Sequence, residues 1–166
     1  MASILGIGNA LTDILAVLPD DKFLKEFHLP KGSMQHVDME TGDKIWKTLK
    51  PMGVQLVAGG SAANAITGTA IFGMESAFIG KVGNDMFGRM LKARTEEQGI
   101  DMSALMMDDV IHTTLAFVEK LPDGDRDFSF YRKPGADIML TKDEVIEHKD
   151  VIEGAKIFHF GTLSMT

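Results

Sequence analysis

Two adjacent glycines followed by small and polar residues form the segment best suited to hold a ligand. Residues 58–64 read AGGSAAN. Glycine lets the main chain approach a ligand with no Cβ in the way. A helix predicted to start at Ser61 would point its free N–H groups, and the positive end of its dipole, at the same place. Asn64 lies about one turn into that helix, where its amide would reach the same ligand. A tight turn with Ser61 as N-cap explains the segment equally well.

Two further polar residues, Asn9 and Asp13, interrupt an apolar region near the N-terminus. An amide and a carboxylate near the carboxyl end of a strand suit the hydroxyl groups of a sugar. The alternative is local, because Asp side chains often accept hydrogen bonds from nearby backbone N–H groups.

Other short motifs argue against several kinds of site. Residues 6–11 begin like the dinucleotide fingerprint GxGxxG, but Leu11 stands in place of the third glycine. Gly80-Lys81 is followed by Val82 rather than Ser or Thr, so no Walker A motif is present. Without cysteine, thiolate catalysis, disulfides and Cys-ligated zinc are excluded. The histidines lack the short spacing of metal ligands, and we predict no metal site at His28, His36, His112, His148 or His159.

Strands that alternate with helices predict a parallel α/β sheet with helices on both faces. Apolar runs predict strands over residues 3–8, 76–82 and 156–160, and periodicity predicts helices over residues 20–27, 40–50, 61–72, 86–98 and 141–149. Asp20 and Thr141 are the expected caps of two of these helices, and Thr141 with Glu144 has the spacing of a capping box. Four runs do not follow the alternation: residues 14–18, 54–57, 113–121 and 126–132. They predict a second small sheet, with a hairpin turn at residues 122–125.

The composition is that of a globular protein. The chain has 166 residues, 45% of them hydrophobic and 25% charged, and a net charge of −7. This length can bury one real core, and one domain with a small appendage is expected. The net negative charge, together with the lack of a run of Lys and Arg residues, argues against nonspecific binding to nucleic acid or to an anionic membrane. No signal peptide or spanning segment is predicted, and the lack of cysteine fits a cytoplasmic location.

The glycine-rich segment is part of a wider resemblance. GGSAAN, followed by FGMESAFIGKVGNDMFG at residues 72–88, resembles the first signature of the pfkB-type, ribokinase-like kinases. Residues 6–18 resemble the adenosine-kinase and sugar-kinase branch of that family. Residues 113–140, with FHFGTLSMT at 158–166, are most similar to bacterial fructokinases. The match runs along the whole chain in order.

The resemblance implies a fold and a reaction. Members of this family transfer the γ-phosphoryl group of ATP, with Mg²⁺, to a hydroxyl of a sugar or nucleoside. Their fold is a ribokinase-like three-layer sandwich with a small β lid, which excludes water from the reaction. Residues 1–166 would be the N-terminal portion of such a kinase. The runs at 14–18, 54–57, 113–121 and 126–132 would be its lid strands.

The resemblance also implies the residues that bind substrate. The acceptor hydroxyls would be held by Asn9, Asp13, Gly59, Gly60 and Asn64. Phe117 and Phe130 would cover the sugar face, or else pack in the core of the lid. Arg132 would meet an anionic or hydroxylated end of the substrate, or else form a surface salt bridge. We expect Asn84 and Asp85 to shape a turn rather than touch substrate.

One family element has no match. The second signature, a Gly-Ala-Gly-Asp segment that supplies the aspartate base and a helix N-terminus, is absent. Residues 134–137 (PGAD) resemble it only superficially, because the second glycine is lacking. We therefore assign no catalytic residue here, expect the base in a C-terminal part, and expect this chain to be inactive alone.

Three functions remain open on the sequence. The first is the acceptor-binding half of a fructose-like sugar kinase, because residues 131–140 resemble fructokinases. The second is an adenosine or other nucleoside kinase, because of the N-terminal stretch. The third is a non-catalytic sugar-binding or assembly module of the same architecture. In each case exposed edges of the lid strands would allow two copies to pair as a homodimer.

Overall fold

The structure is a computed structural model that describes residues 2–29, 34–120 and 126–165. The chain forms two compact units. The large unit comprises residues 1–12, 58–113 and 134–166, and the small unit comprises residues 13–57 and 114–133.

Strands and helices alternate along much of the chain. The strands are β1 Ile4–Ile7, β2 Leu11–Val17, β3 Met34–Val37, β4 Gln55–Gly59, β5 Ser76–Gly83, β6 Ile100–Asp101, β7 Leu105–Asp108, β8 Leu115–Lys120, β9 Arg126–Tyr131 and β10 Ile157–Phe160. The α-helices are α1 Lys22–Glu26, α2 Met39–Leu49, α3 Ser61–Ile71, α4 Met86–Glu97, α5 Lys142–Glu147 and α6 Lys149–Gly154. Short 3-10 helices cover Lys50–Met52, Ala136–Met139 and Thr162–Met165.

The large unit contains a parallel sheet, as predicted. Its strand order is β10-β1-β5-β6, and β7 also pairs with β5. Ile4 of β1 lies opposite Ser76 of β5 on one side and Ile157 of β10 on the other. Every residue of β5 is buried, which is typical of a parallel strand covered on both faces.

Helices cover both faces of this sheet and produce three layers. On one face, Phe78 and Val82 of β5 pack in a cluster with Ile66 of α3 and Leu91 of α4. On the other face, Ala77 and Ile79 of β5 pack with Leu5, and the apolar residues Leu140, Val151 and Ile152 cover that cluster. The alternation of β5 side chains between the two faces therefore places one core on each side of the sheet.

Helix α3 is rich in small residues and lies close to the end of β1. A Cβ at Gly8 would lie 2.7 Å from the Cβ of Ala62, closer than two carbon atoms can pack. The small side chains of α3 thus allow a close contact between this helix and the end of β1.

The small unit contains the second sheet, with order β3-β9-β8-β2-β4. Strands β8 and β9 are antiparallel, with Leu115 opposite Tyr131. This pairing fits the hairpin predicted from the sequence. The predicted hairpin turn at residues 122–125 lies outside the described residues. Strand β3 was missed by the sequence reading and pairs parallel with β9. Helix α2 packs on this sheet. Its Gly42 lies so close to the ring of Tyr131 of β9 that a Cβ at this position would be 2.7 Å from the ring.

Several element boundaries differ from prediction. Gly60, not Ser61, is the N-cap of α3, and no side chain caps that helix. Asp20 was the expected cap of α1, but Asp21 holds that position without a side-chain hydrogen bond. The capping box of Thr141 and Glu144 is confirmed. The helix predicted to span residues 141–149 instead stops at Glu147, and α6 begins at Lys149.

Candidate functional site

The turn between β4 and α3 is built around the conformation of Gly60. Its φ of 108° and ψ of 128° lie in a region that residues with a Cβ rarely adopt. A Cβ at Gly60 would also overlap the main-chain carbonyl of Asn9. The Gly60 carbonyl accepts the hydrogen bond from the Asn64 N–H at 2.8 Å, which starts the helix. Glycine is thus required here by both the backbone conformation and the contact with Asn9.

Asn9 joins this turn to the carboxyl ends of two strands. It lies just beyond Gly8, the residue that follows β1, and is half-buried. Its backbone N–H donates to Oγ of Ser164 at 3.0 Å, in the 3-10 helix that follows β10. Ligands of parallel α/β sheets bind at the carboxyl ends of the strands. The Asn9–Gly60 contact therefore lies where such a fold places its site.

The start of α3 offers hydrogen-bond donors to a ligand. Asn64 is exposed in the first turn. No side chain caps this helix, and its first turn holds no acidic residue. The positive end of the helix dipole is thus not compensated locally by a carboxylate. A ligand rich in oxygen atoms would find both main-chain and side-chain donors here.

Asp13 is the third residue of β2 and belongs to the small unit. It thus lies inside a strand near its amino end, not near a carboxyl end as the sequence suggested. The side chain is half-buried, and this burial raises the pKa of Asp13 to about 6. Removal from water disfavours the charged form. At neutral pH the group is still mostly ionised and accepts hydrogen bonds.

Phe117 and Phe130 lie on opposite faces of the small sheet. Phe117 of β8 pairs with Ser129 of β9, whereas Phe130 pairs with Ala116. Directly paired residues share a face and successive residues alternate. The expectation that both rings cover one sugar face is therefore wrong.

The two phenylalanines also differ in burial. Phe117 is 0% exposed and has no surface for a ligand in this structure, so the alternative of core packing describes it better. Phe130 is half-buried, and its ring centroid lies 6.1 Å from that of His36. Arg132 follows β9 directly and is half-buried as well.

The predicted site residues divide between the units. Asn9, Gly59, Gly60 and Asn64 belong to the large unit, where the contact of Gly60 with Asn9 joins two of the segments. The small unit holds Asp13, Phe117, Phe130 and Arg132.

Asp85 shapes the turn before α4, as expected. Its Oδ1 accepts hydrogen bonds from the N–H groups of Phe87 and Gly88 at 2.9 and 2.8 Å. Its Oδ2 accepts from the N–H of Thr113 at 2.8 Å. The carboxylate of Asp85 therefore caps α4 and holds the backbone of Thr113 next to the same turn.

Sequence reasoning missed a buried ionic junction centred on Lys81. Lys81 is buried in β5, and its Nζ lies 2.7 Å from Oε1 of Glu144 and 3.2 Å from Oδ2 of Asp108. The sequence does contain a sign of this junction, because a lysine inside the apolar strand FIGKVG needs acidic partners when it is buried. The identity of those partners was not available from local sequence.

The described residues contain neither a metal-binding cluster nor a membrane-spanning helix. No three His, Cys, Asp or Glu side chains among them come together in a way that would hold a metal ion. No helix among the same residues has the length and apolar character needed to cross a bilayer.

Comparison with known proteins places these features in a family. A model of the pfkB family of carbohydrate kinases matches residues 35–166. Fructokinase-1 of Zea mays is 42% identical over 107 residues, which are 64% of this chain and 32% of that protein. The matched part thus spans about a third of that relative.

Solved structures agree in fold. The fructokinase with bound ATP from Xylella fastidiosa is 31% identical, with a TM-score of 0.70 over 100% of this chain and 44% of its own. The adenosine kinase from Sinorhizobium meliloti is 29% identical, with a TM-score of 0.75 over 96% of this chain and 46% of its own. The architecture is that of the ribokinase-like kinases, and the chain belongs to the pfkB family of carbohydrate kinases.

Proposed function

We propose that this chain carries the acceptor-binding part of an ATP-dependent kinase that phosphorylates a hydroxyl of a fructose-like sugar. The observation that carries the proposal is the contact of the Gly60 main chain with Asn9 at the uncapped start of α3. The fructokinases of Zea mays and Xylella fastidiosa, at 42% and 31% identity, favour fructose over other sugars.

The polar groups of the site match the chemistry of a polyol. A sugar hydroxyl both donates and accepts hydrogen bonds. The main chain at Gly59 and Gly60 and the amide of Asn64 supply donors, and the carboxylate of Asp13 supplies an acceptor. Phe130 and Arg132 are also proposed to contact the sugar. Phe117 is left out of the proposed contacts because it is fully buried.

ATP and Mg²⁺ belong to the proposal for the complete kinase. The structure of the Xylella fastidiosa fructokinase with bound ATP supports the use of ATP. When bound, Mg²⁺ would arrive with ATP and neutralise charge on its phosphates. Phosphoryl transfer depends on positioning and electrostatics. Because this sequence has no Gly-Ala-Gly-Asp segment, we expect the 166-residue polypeptide to bind the acceptor without transferring phosphate.

Calorimetric titration tests the acceptor site. We expect the protein to bind fructose, and Asn64→Ala to weaken binding by up to about tenfold, the effect of one lost hydrogen bond. Gln98→Ala is the matched control, because it removes an exposed amide of the same unit beyond the end of α4. Absence of fructose binding, or equal affinities of the two variants, would contradict the proposal.

Adenosine is the second candidate acceptor. The observation that favours it is the likeness to the Sinorhizobium meliloti adenosine kinase, which extends over 96% of this chain at 29% identity. Titrations with adenosine and ribose beside fructose separate the two proposals, because the correct acceptor must bind most tightly and must lose affinity in Asn64→Ala.

A further inference from the structure

Three segments of the large unit meet at the end of strand β1, and the side chain of Ser164 lies where they meet. Ser164 belongs to the 3-10 helix that follows β10, and it is half-buried. A Cβ at Gly8, directly after β1, would lie 2.8 Å from Oγ of Ser164 and 2.7 Å from Cβ of Ala62 in the first turn of α3. The Ser164 hydroxyl therefore lies against the main chain that leads from β1 into the candidate site.

Main-chain hydrogen bonds fix Ser164 relative to β1. Its N–H donates to the carbonyl of Gly161 at 3.1 Å, and the N–H of Gly161 donates to the carbonyl of Ile7 at 3.4 Å. Ile7 is the last residue of β1, and it also lies opposite Phe160 in the parallel pairing of β1 with β10. The position of the Ser164 hydroxyl is thus set by the sheet.

The same hydroxyl holds the main chain of Asn9. The Asn9 N–H donates to Oγ of Ser164 at 3.0 Å across 155 positions of the sequence, and the Asn9 carbonyl lies against Gly60. The main chain of Asn9 is therefore held by Ser164 and bounded by the Gly60 turn. Because the allowed rotamers of a side chain depend on its backbone conformation, this arrangement limits the directions in which the Asn9 amide can point.

Asn9 needs such support if it binds a small ligand. It lies between β1 and β2, outside both strands, so the hydrogen bonds of a strand do not hold it in place. Side chains that bind a ligand must be held to within about half an ångström by the groups around them. The hydrogen bond from Ser164 supplies a constraint of this kind.

We propose that Ser164 is a positioning residue of the acceptor site. Its hydroxyl holds the main chain of Asn9 against the Gly60 turn and so directs the Asn9 amide toward the acceptor hydroxyls. Ser164 acts through Asn9 and touches no substrate in this role. The inference rests on the proposed function and deepens it, because it adds the segment after β10 to the groups that determine acceptor binding.

Amide hydrogen exchange tests the contact itself. Ser164→Ala removes the acceptor of the Asn9 N–H, and we expect this amide to exchange about tenfold faster in NMR measurements on isotope-labelled protein, as for one lost hydrogen bond. Ser164→Thr keeps a hydroxyl at this position and should restore the slow exchange. Ser103→Ala is the matched control, because it removes the side chain of an exposed serine of the same unit, between β6 and β7.

Calorimetric titration tests the role in binding, with fructose or with adenosine if that acceptor binds more tightly. We expect Ser164→Ala to weaken binding about tenfold, and Ser164→Thr to restore it to within about twofold. Ser103→Ala should leave the affinity unchanged.

The decisive comparison uses the Asn9→Ala variant. That substitution keeps the backbone N–H and its bond to Ser164, but it removes the amide that Ser164 is proposed to direct. Adding Ser164→Ala should then weaken binding by less than about twofold further, because two residues that act through one contact are not additive. A serine with a merely structural role would reduce the affinity equally with and without the Asn9 amide.

The outcomes separate this inference from the proposed function. The role of Ser164 would be overturned, with the acceptor site intact, by unchanged exchange of the Asn9 amide or unchanged acceptor affinity in Ser164→Ala. An equal loss of affinity in the Asn9→Ala variant would overturn it as well. Failure of the natural protein to bind fructose, ribose or adenosine would instead contradict the proposed function, and the role of Ser164 with it.

Discussion

The Nζ atom of Lys81 lies 2.7 Å from Oε1 of Glu144 and connects strand β5 to the first turn of helix α5. The other oxygen of that carboxylate accepts the N–H of Thr141 at 2.8 Å and completes the capping box. Burial by itself lowers the pKa of Lys81, but hydrogen bonds to Glu144 and Asp108 outweigh it and raise the pKa. One buried cation therefore holds β5, the end of β7 and α5 together.

Removal of this cation should destabilise the fold. Lys81→Met would leave the carboxylates of Glu144 and Asp108 without their common partner, and we expect a loss of about 3 kcal/mol in the free energy of unfolding. Lys92→Met is the control, because its pair with Glu96 is long, at 3.9 Å, and partly exposed to solvent; its loss should change the free energy of unfolding by less than about 1 kcal/mol. Urea unfolding of both variants measures the difference, and equal losses would rule out a structural role for the junction.

Replacement of Gly60 should reveal the contact with Asn9. Gly60 and Gly73 both have positive φ, at 108° and 81°, but a Cβ at Gly73 has open space around it. Gly73→Ala should therefore lower the free energy of unfolding only by the backbone strain, about 1–2 kcal/mol. Gly60→Ala adds the overlap with the Asn9 carbonyl, and we expect it to cost at least about 1 kcal/mol more.

Thermal or urea unfolding of the two glycine variants supplies the measurement. If Gly60→Ala is no more destabilising than Gly73→Ala, the turn does not depend on close approach to Asn9. Fructose titration of Gly60→Ala gives a second readout, because displacement of this turn should also weaken the proposed acceptor site.

Asp13 should make stability depend on pH in a defined direction. Burial raises its pKa from 3.8 to about 6 in the folded protein. Between these values the folded state binds more protons than the unfolded state, so the contribution of Asp13 to stability falls as pH rises from about 4 to about 6. Above that range the destabilisation is complete and constant.

Asp13→Asn isolates this contribution. The free energy of unfolding of the variant minus that of the natural protein should increase across the same pH window and then level off. Urea unfolding at several pH values between 4 and 7.5 provides the data, and the subtraction removes the other carboxylates. A difference that does not vary with pH would show that Asp13 is solvated in the folded protein.

Local sequence determined a large part of this protein. The alternation of apolar strands with periodic helices was sufficient to predict the α/β architecture. The spacing of Thr141 and Glu144 was sufficient to predict the capping box. The motif from Gly59 to Asn64 and the segment at residues 72–88 were sufficient for the family. These features depend on residues close together in the chain, whose propensities and hydrogen bonds act locally.

Only the tertiary structure decided the rest. The register of β8 against β9 placed Phe117 and Phe130 on opposite faces, and a shift of one residue would have reversed the side on which each ring lies. The partners of Lys81 come from residues 27 and 63 positions further along the chain. The hydrogen bond from the Asn9 N–H to Ser164 joins residues 155 positions apart. Register, distant ion pairs and hydrogen bonds between loops all arise from contacts between segments far apart in sequence, and no local pattern encodes which segments will meet.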